Sequence, residues 1–237
     1  MMSNRACSKG FTLIELMISM TFLSILLIAI TVATLQIMHQ YSKGMTVKSI
    51  NQIGRNLADS IRRDARSLST VGGGKYVAPN TIGAGGLGRL CLGSASYIWN
   101  TDSALRDGTG VKYTGVPSPR MIAMARVNDQ GGQYCLPVSG NYRMDVPATL
   151  ATEMLSNSLD TTTATTGTFT ELALYEMTLT PMVTNNPGVL YTLQFTLGTN
   201  QSGTIDTVDQ SCLNQSNTTS NYDFCAVNKF QIVLRMG

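Results

Sequence analysis

Charge is nearly absent from residues 11–38. From Phe11 to Met38 the sequence has one ionisable side chain, Glu15, in a run of 28 residues. A membrane-crossing helix needs about 20 mostly apolar residues, so this run is long enough to span. A carboxylate within hydrocarbon costs on the order of 3 kcal/mol, which marks Glu15 as a candidate functional residue whose partner should be sought.

Proline is absent before Pro79, so nothing breaks a helix over this region. Beyond Met38, apolar residues recur with helical spacing, and only Asp64 interrupts their face. The sequence therefore predicts one helix from about Phe11 to Leu68, about 85 Å long, with a spanning part at 11–38 and an amphipathic continuation at 39–70. The apolar face comprises Val47, Ile50, Ile53, Leu57, Ala58, Ile61, Ala65 and Leu68, and the polar face comprises Lys48, Arg55, Asp59, Arg62, Arg63 and Arg66.

Histidine is nearly absent, since His39 is the only one, and it follows the apolar run directly. A serine hydrolase triad needs a base beside its nucleophile, and structural zinc needs closely spaced Cys or His pairs. The sequence has no Cys-x-x-Cys pair. Gly83 to Gly88 matches G-x-G-x-x-G, but no helical pattern follows it, as a dinucleotide site requires. These absences predict that the protein is not an enzyme.

The region from residue 71 to 237 is predicted to be one β-rich domain. Gly72 to Gly74 ends the helix, and a Gly-rich connection is expected to run to about Gly88. Period-2 alternation predicts strands at Ala173–Leu179, Val189–Leu197 and Phe230–Met236, with a further candidate at Met121–Val127. The turn residues Asn185 to Gly188 predict an antiparallel hairpin from the first two. The fold class is therefore α+β, with a long N-terminal helix packed on an antiparallel sheet.

The run Lys9-Gly10-Phe11-Thr12-Leu13-Ile14-Glu15 carries a family resemblance. A short basic leader that ends in Gly, followed by Phe-Thr-Leu-Ile-Glu-Leu and an apolar helix, resembles the class III signal of type IV pilins and of type II secretion pseudopilins. The resemblance implies that residues 1–10 are a leader, and that a prepilin peptidase cleaves between Gly10 and Phe11 and N-methylates Phe11. It also implies that Glu15 pairs with the N-terminal ammonium of a neighbouring subunit.

Two ordinary explanations compete with this resemblance. A secretory signal has a shorter apolar core and a small-residue cleavage site after it, and neither feature is present. A plain single-pass anchor explains the span, with Arg5 and Lys9 holding the N-terminus in the cytoplasm. It leaves Glu15 without a role, because acids without partners are rare in spanning segments.

The cysteines of the exported part point to disulfides. Cys7 lies in the leader, which leaves Cys91, Cys135, Cys212 and Cys225. An oxidising compartment favours two disulfides, and sequence alone allows three pairings. We favour Cys91 with Cys135 and Cys212 with Cys225, because each is then bonded to its nearest neighbour; each closure is worth roughly 3 to 4 kcal/mol.

The implied function is a minor type IV pilus subunit that primes or caps filaments. Domain size and the C-terminal Ile-Val-Leu-Arg segment resemble W-type minor pilins and J-type pseudopilins. The implied partners are the prepilin peptidase, other major and minor pilins, the inner-membrane assembly platform and, before assembly, membrane lipid. The implied location is the bacterial inner membrane, with a cytoplasmic N-terminus, and then a periplasmic or cell-surface filament.

Several alternatives remain at the level of sequence. The same signal would serve a pseudopilin of type II secretion, and the same scaffold would serve a tip adhesin or DNA-uptake module. Without Arg5 and Lys9, fifteen basic residues face fourteen acidic ones, so we expect no nucleic-acid partner. We expect no cofactor. Asp206, Asp209 and Asn214 offer oxygen ligands for Ca²⁺, although a solvated acidic loop is the favoured interpretation because no complete calcium loop is present.

Overall fold

The computed structural model describes residues 12–68, 74–79, 86–117, 120–155, 172–182, 190–200, 205–206, 209–213 and 225–236. The chain divides into two compact units, Met1–Ser42 and Lys43–Gly237. The long helix begins in the first unit and ends in the second.

The predicted long helix is confirmed as α1, Leu13–Arg66. Within the second unit, the predicted apolar face is buried from Ile50 onward, and Leu57 and Ile61 are fully buried. Val47, at the start of the predicted face, is exposed. The amphipathic pattern therefore identifies the face that packs, but it places the start of the packing one turn too early.

Within the described residues, α1 is followed by the short α-helix α2 Asp102–Asp107 and by the strands β1 Gly74–Val77, β2 Leu87–Leu92, β3 Ala95–Asn100, β4 Lys112–Thr114, β5 Met124–Asn128, β6 Asp145–Pro147, β7 Ala151–Glu153, β8 Leu172–Pro181, β9 Leu190–Thr199 and β10 Val227–Arg235. The five-stranded sheet has the order β1-β2-β3-β5-β7, a second sheet has the order β10-β9-β8, and β4 pairs with β6. All pairs are antiparallel except the short parallel pair of β4 with β6.

The Gly-rich connection predicted to run to Gly88 is wrong, because β1 lies inside it and β2 begins at Leu87. Gly88 lies within β2, and packing explains why this strand position is a glycine. A Cβ at this position would lie 1.9 Å from the indole ring of Trp99, its partner on β3. The glycine therefore makes room for a buried ring within a strand, and it does not mark a linker.

The three alternating segments are confirmed as strands β8, β9 and β10, and β8 and β9 form the predicted antiparallel hairpin. The turn residues predicted between them lie outside the described residues. The candidate strand Met121–Val127 corresponds to β5, which begins at Met124. The strict alternation predicted for β8 fails at Tyr175, because a bulge shifts the register between Leu174 and Glu176.

Two apolar clusters form the core. In the first, the buried face of α1 packs on β2, β3 and β5 from one sheet and on β8, β9 and β10 from the other. The second cluster covers the opposite face of the five-stranded sheet, around Leu87, Ile98 and Tyr113. Strands β2 and β3 are thus buried on both faces, and a strand of this kind lacks the alternation that reveals a half-buried one.

The structure joins the four cysteines in the two pairs that the sequence analysis favours. Cys91 on β2 bonds to Cys135, and Cys212 bonds to Cys225 just before β10. The first bond ties the five-stranded sheet to the short 3₁₀ turn Gln133–Cys135. The second closes the segment that leads into β10.

Candidate functional site

The N-terminal end of α1 is a capping box formed by Thr12 and Glu15. The Thr12 backbone N–H and hydroxyl donate to Glu15 Oε2 at 3.0 and 2.9 Å, and the Glu15 N–H approaches Thr12 Oγ1 at 3.4 Å. This reciprocal arrangement satisfies backbone donors that the first turn of a helix leaves without partners. Thr-x-x-Glu is a known sequence signature of such a cap, and the sequence analysis did not use it.

The hydroxyl groups of the apolar segment are satisfied by the helix itself. Each donates to a backbone carbonyl three or four residues earlier, which is how Ser and Thr are tolerated where no water is present. The pairs are Ser19 with Glu15, Thr21 with Ile18, Ser24 with Met20, Thr31 with Leu27 and Thr34 with Ile30. Glu15 is different, because it is the charged side chain of this segment and its carboxylate has no counter-ion among the described residues.

The apolar segment of α1 is exposed throughout. Every described residue from 12 to 41 is exposed, and the helix is long and apolar enough to cross a membrane by length and composition. An exposed apolar surface of this extent needs a lipid or protein environment. The segment is consistent with membrane anchoring.

The residues of the predicted cleavage and methylation site, Gly10 and Phe11, lie outside the described residues. The structure places Glu15 three residues from the first described position, in the first turn of α1. Cleavage after Gly10 and the inter-subunit partner of Glu15 stay predictions.

Asp64 is the acid that interrupts the apolar face of α1, and it fastens the helix to the five-stranded sheet. Its carboxylate accepts from Arg126 Nε at 2.7 Å and Nη2 at 2.9 Å, and from the Tyr97 hydroxyl at 2.6 Å. Tyr97 also contacts Ser60 one turn earlier. Burial opposes ionisation of Asp64, but the bonds from Arg126 and Tyr97 outweigh it, so its pKa lies below the usual value.

We expect Asp64→Asn to reduce the free energy of unfolding by about 2 kcal/mol, because a charge-assisted contact is lost while the side-chain size is kept. Arg126 is partly exposed, which limits the loss. The folded state binds the Asp64 proton less readily than the unfolded state. In the wild-type chain its contribution is thus present above about pH 3.9 and is lost as the pH falls through the lowered pKa.

Denaturant unfolding of the full chain in a nonionic detergent measures both effects through Trp99, the single and fully buried tryptophan. The matched control is Asp59→Asn, which removes an exposed pair with Arg62 and should change stability by less than about 0.5 kcal/mol. Equal stabilities of the two variants at pH 7, or the same acid-induced loss in Asp64→Asn as in wild type, would contradict the assigned role.

Arg89, a buried cation in β2, was not predicted from the sequence. Its guanidinium donates to the carbonyl of Tyr134 at 2.6 Å and to the carbonyl of Arg143, and the Tyr142 ring lies 5.0 Å away. Burial lowers its pKa to about 10. Arg89 therefore holds the loop before β6 against the sheet. A charged residue inside the apolar run Leu87–Leu92 was the signal that could have drawn attention to it.

The acidic loop considered for calcium is described only in part. Asp206 and Asp209 lie in a turn whose ends pair at Ile205 and Cys212, and Asn214 is outside the described residues. No group of three or more His, Cys, Asp or Glu side chains within the described ranges is arranged to hold a metal ion. That the chain binds no cofactor stays a prediction.

Comparison with known proteins matches the N-terminus of the chain. A family model described as the prokaryotic N-terminal methylation motif matches residues 5–31, which include Gly10, Phe11 and Glu15. No curated protein and no solved structure matches the chain. The motif is that of a structural family rather than of an enzyme family.

Proposed function

Since the chain is a type IV pilin-like protein, with a class III signal ahead of a long apolar helix and a β-sheet domain, we propose that it is a minor type IV pilus subunit that helps prime or cap filaments. Its role is structural and not catalytic. In this proposal the prepilin peptidase removes residues 1–10 and methylates Phe11. The mature subunit then waits in the inner membrane until it joins other pilins at the assembly platform.

The observation that carries the proposal is the fully exposed apolar segment from residue 12 to 41, with one charge near its start. Lipid alone would accommodate the apolar side chains, but placing the unpaired Glu15 carboxylate in lipid costs free energy. Packing against equivalent helices of other subunits satisfies both, because it supplies apolar contact and an N-terminal ammonium. An anchor without partners gives no reason for the acid.

The proposed role as a minor subunit is tested by deleting the gene in the cell that makes this protein and then restoring it. We expect the deletion strain to accumulate the major subunit in its membrane while losing most surface filaments. A low level of the wild-type protein should restore them, since priming or capping needs few copies per filament. Electron microscopy gives filament counts, and quantitative blotting of sheared filaments gives the subunit ratio.

Normal filament numbers in the deletion strain would contradict the proposal. So would a subunit ratio in which this chain is the main component. A defect confined to protein secretion, with filaments intact, would favour the pseudopilin alternative.

A further inference from the structure

Strand β10 is an edge strand. The second sheet has the order β10-β9-β8, so β10 pairs with β9 on one side. Among the described residues nothing pairs with its other side, although the strand is nine residues long. An open edge presents a row of backbone donors and acceptors to which another extended chain can add.

The register of the hairpin shows which backbone groups lie at the open edge. The Thr199 N–H donates to the Ala226 carbonyl at 3.1 Å, and Val227 is opposite Gly198. Bonded and non-bonded pairs alternate along an antiparallel ladder. The odd-numbered residues of β10 therefore direct their N–H and C=O groups away from β9; they are Val227, Lys229, Gln231, Val233 and Arg235.

A basic side of α1 flanks this open edge. Ser60 and Asp64 point from the helix toward the five-stranded sheet. Asn51 is on the other side and contacts Asn228 at the start of β10. Helical periodicity of 100° per residue puts Arg62 and Arg66 on the same side as Asn51. These two arginines form a recess of about 140 Å³ with Leu190, Val233, Leu234 and Arg235 at the far end of β10.

The charge at this end of β10 is positive and largely uncompensated. Arg62 lies 3.3 Å from Asp59, and both side chains are exposed. Within the described parts of the chain, Arg66 and Arg235 have no ion pair. Val233 adds an exposed apolar side chain to the same recess. Cationic walls, an apolar patch and free backbone groups together suit an extended peptide with acidic side chains, whereas a phosphate group would leave the apolar patch and the strand edge unused.

We propose that the open edge of β10 binds an extended acidic segment of a partner protein as an added strand. The added strand bonds to the outward backbone groups between Lys229 and Arg235, and its carboxylates pair with Arg62, Arg66 and Arg235. None of the residues that form this surface belongs to the apolar segment of α1, residues 12–41. The proposal does not depend on the chain entering a filament.

The test measures peptide binding to the full chain in a nonionic detergent, by fluorescence anisotropy. The probe is a labelled peptide of alternating Glu and Val, about as long as the nine-residue β10. One control peptide keeps every Glu but has Pro in place of each Val, so it cannot form a ladder. A second control replaces Glu with Lys. We expect saturable binding of the first peptide alone, weakened by added salt.

Variants separate backbone pairing from charge. Val233→Pro removes one outward N–H while leaving the bonds to β9, and should weaken binding roughly tenfold; Val233→Thr keeps the N–H and should bind as wild type does. The pair Arg62→Gln and Arg66→Gln should also weaken binding at least about tenfold. Lys48→Gln is the charge control, since Lys48 lies far from the recess. Trp99 emission verifies that each variant is folded.

Each other outcome overturns the proposal. Equal binding of the Glu-Val and Glu-Pro peptides would reduce the surface to a simple charge patch. Displacement of the Glu-Val peptide by phosphatidylglycerol added to the detergent micelles, but not by phosphatidylcholine, would make lipid the ligand. Self-association of the chain that Val233→Pro abolishes would make a second copy the occupant. No peptide binding to a folded chain would leave Lys229 and Arg235 as charges that protect the edge from aggregation.

Discussion

Cells whose only copy of the protein carries Glu15→Val are expected to lose nearly all filaments while accumulating the protein, cleaved after Gly10, in the inner membrane. The valine removes the cost of placing an acid near lipid, so insertion should be as good as in wild type or better. Assembly should fail because a neighbouring ammonium would lose its partner. Loss of one member of a buried ion pair costs about 3 kcal/mol or more, which lowers an association constant about 100-fold.

The capping box makes a sharper comparison possible. The competing explanation for the loss of filaments is that Glu15 is needed to cap its own helix through Thr12, and not to bind a neighbouring subunit. Glu15→Gln keeps an acceptor for that cap and removes the charge. Thr12→Ala removes the hydroxyl of the cap and keeps the charge. If the inter-subunit ion pair governs assembly, Glu15→Gln fails as Glu15→Val does, and Thr12→Ala still makes filaments.

Membrane fractionation with filament counts on the three strains decides between the explanations. Filaments in normal numbers that contain the Glu15→Val protein would remove the inter-subunit role. Filaments in the Glu15→Gln strain but not in the Thr12→Ala strain would assign Glu15 to helix capping. In the first case a plain membrane anchor becomes the better description of the N-terminal segment.

Gly10→Val is expected to leave the precursor uncut, with Arg5 and Lys9 still attached. Glycine has no side chain, so the backbone on either side of the cleaved bond can approach the peptidase closely; a β-branched residue obstructs that approach. The uncut chain should still insert, because its apolar segment and basic flank are unchanged. It should not assemble, because no ammonium forms at Phe11.

Intact mass spectrometry of the purified protein measures this outcome. The wild-type protein should begin at Phe11 and carry an added methyl group, whereas the variant should retain residues 1–10. Gly10→Ala is the matched control, since its single methyl group should permit partial processing. A wild-type protein that starts at another residue, or a Gly10→Val protein that starts at Phe11, would contradict the predicted cleavage site.

The sequence predicted the long helix well, because an apolar run without proline and a clear amphipathic face report local structure directly. Strands β8, β9 and β10 were also predictable, since apolar and polar side chains alternate along much of each strand, and in β10 this alternation matches the burial from Lys229 to Arg235. Strands β2 and β3 were not predicted, for the opposite reason. Leu87–Leu92 and Ala95–Asn100 are buried on both faces, so their alternation disappears. Gly88 resembled a linker residue because the ring that fills its space, Trp99, comes from another strand.

The partners of the buried polar side chains could not be predicted from the sequence. Asp64 was visible as an exception on the apolar face, but its partner Arg126 is 62 residues away, and periodicity carries no information about such pairs. Arg89 is held by backbone carbonyls, which any residue supplies. By contrast, the cap at Thr12 and Glu15 was readable, because both residues lie within one turn.

The Asn51–Asn228 contact joins residues 177 positions apart, and near it the Phe230 ring occupies the space beside Gly54. The apolar face of α1 is thus closed by strands that emerge long after the helix has been made. Bringing such distant segments together is entropically slow, so we expect the contacts between α1 and β10 to form late in folding. Until β10 has been made, the cluster that contains Leu57 and Ile61 lacks Ile232 and Leu234. We therefore expect the newly made helix to expose part of its apolar face until β10 is made, and this face to need protection from premature association.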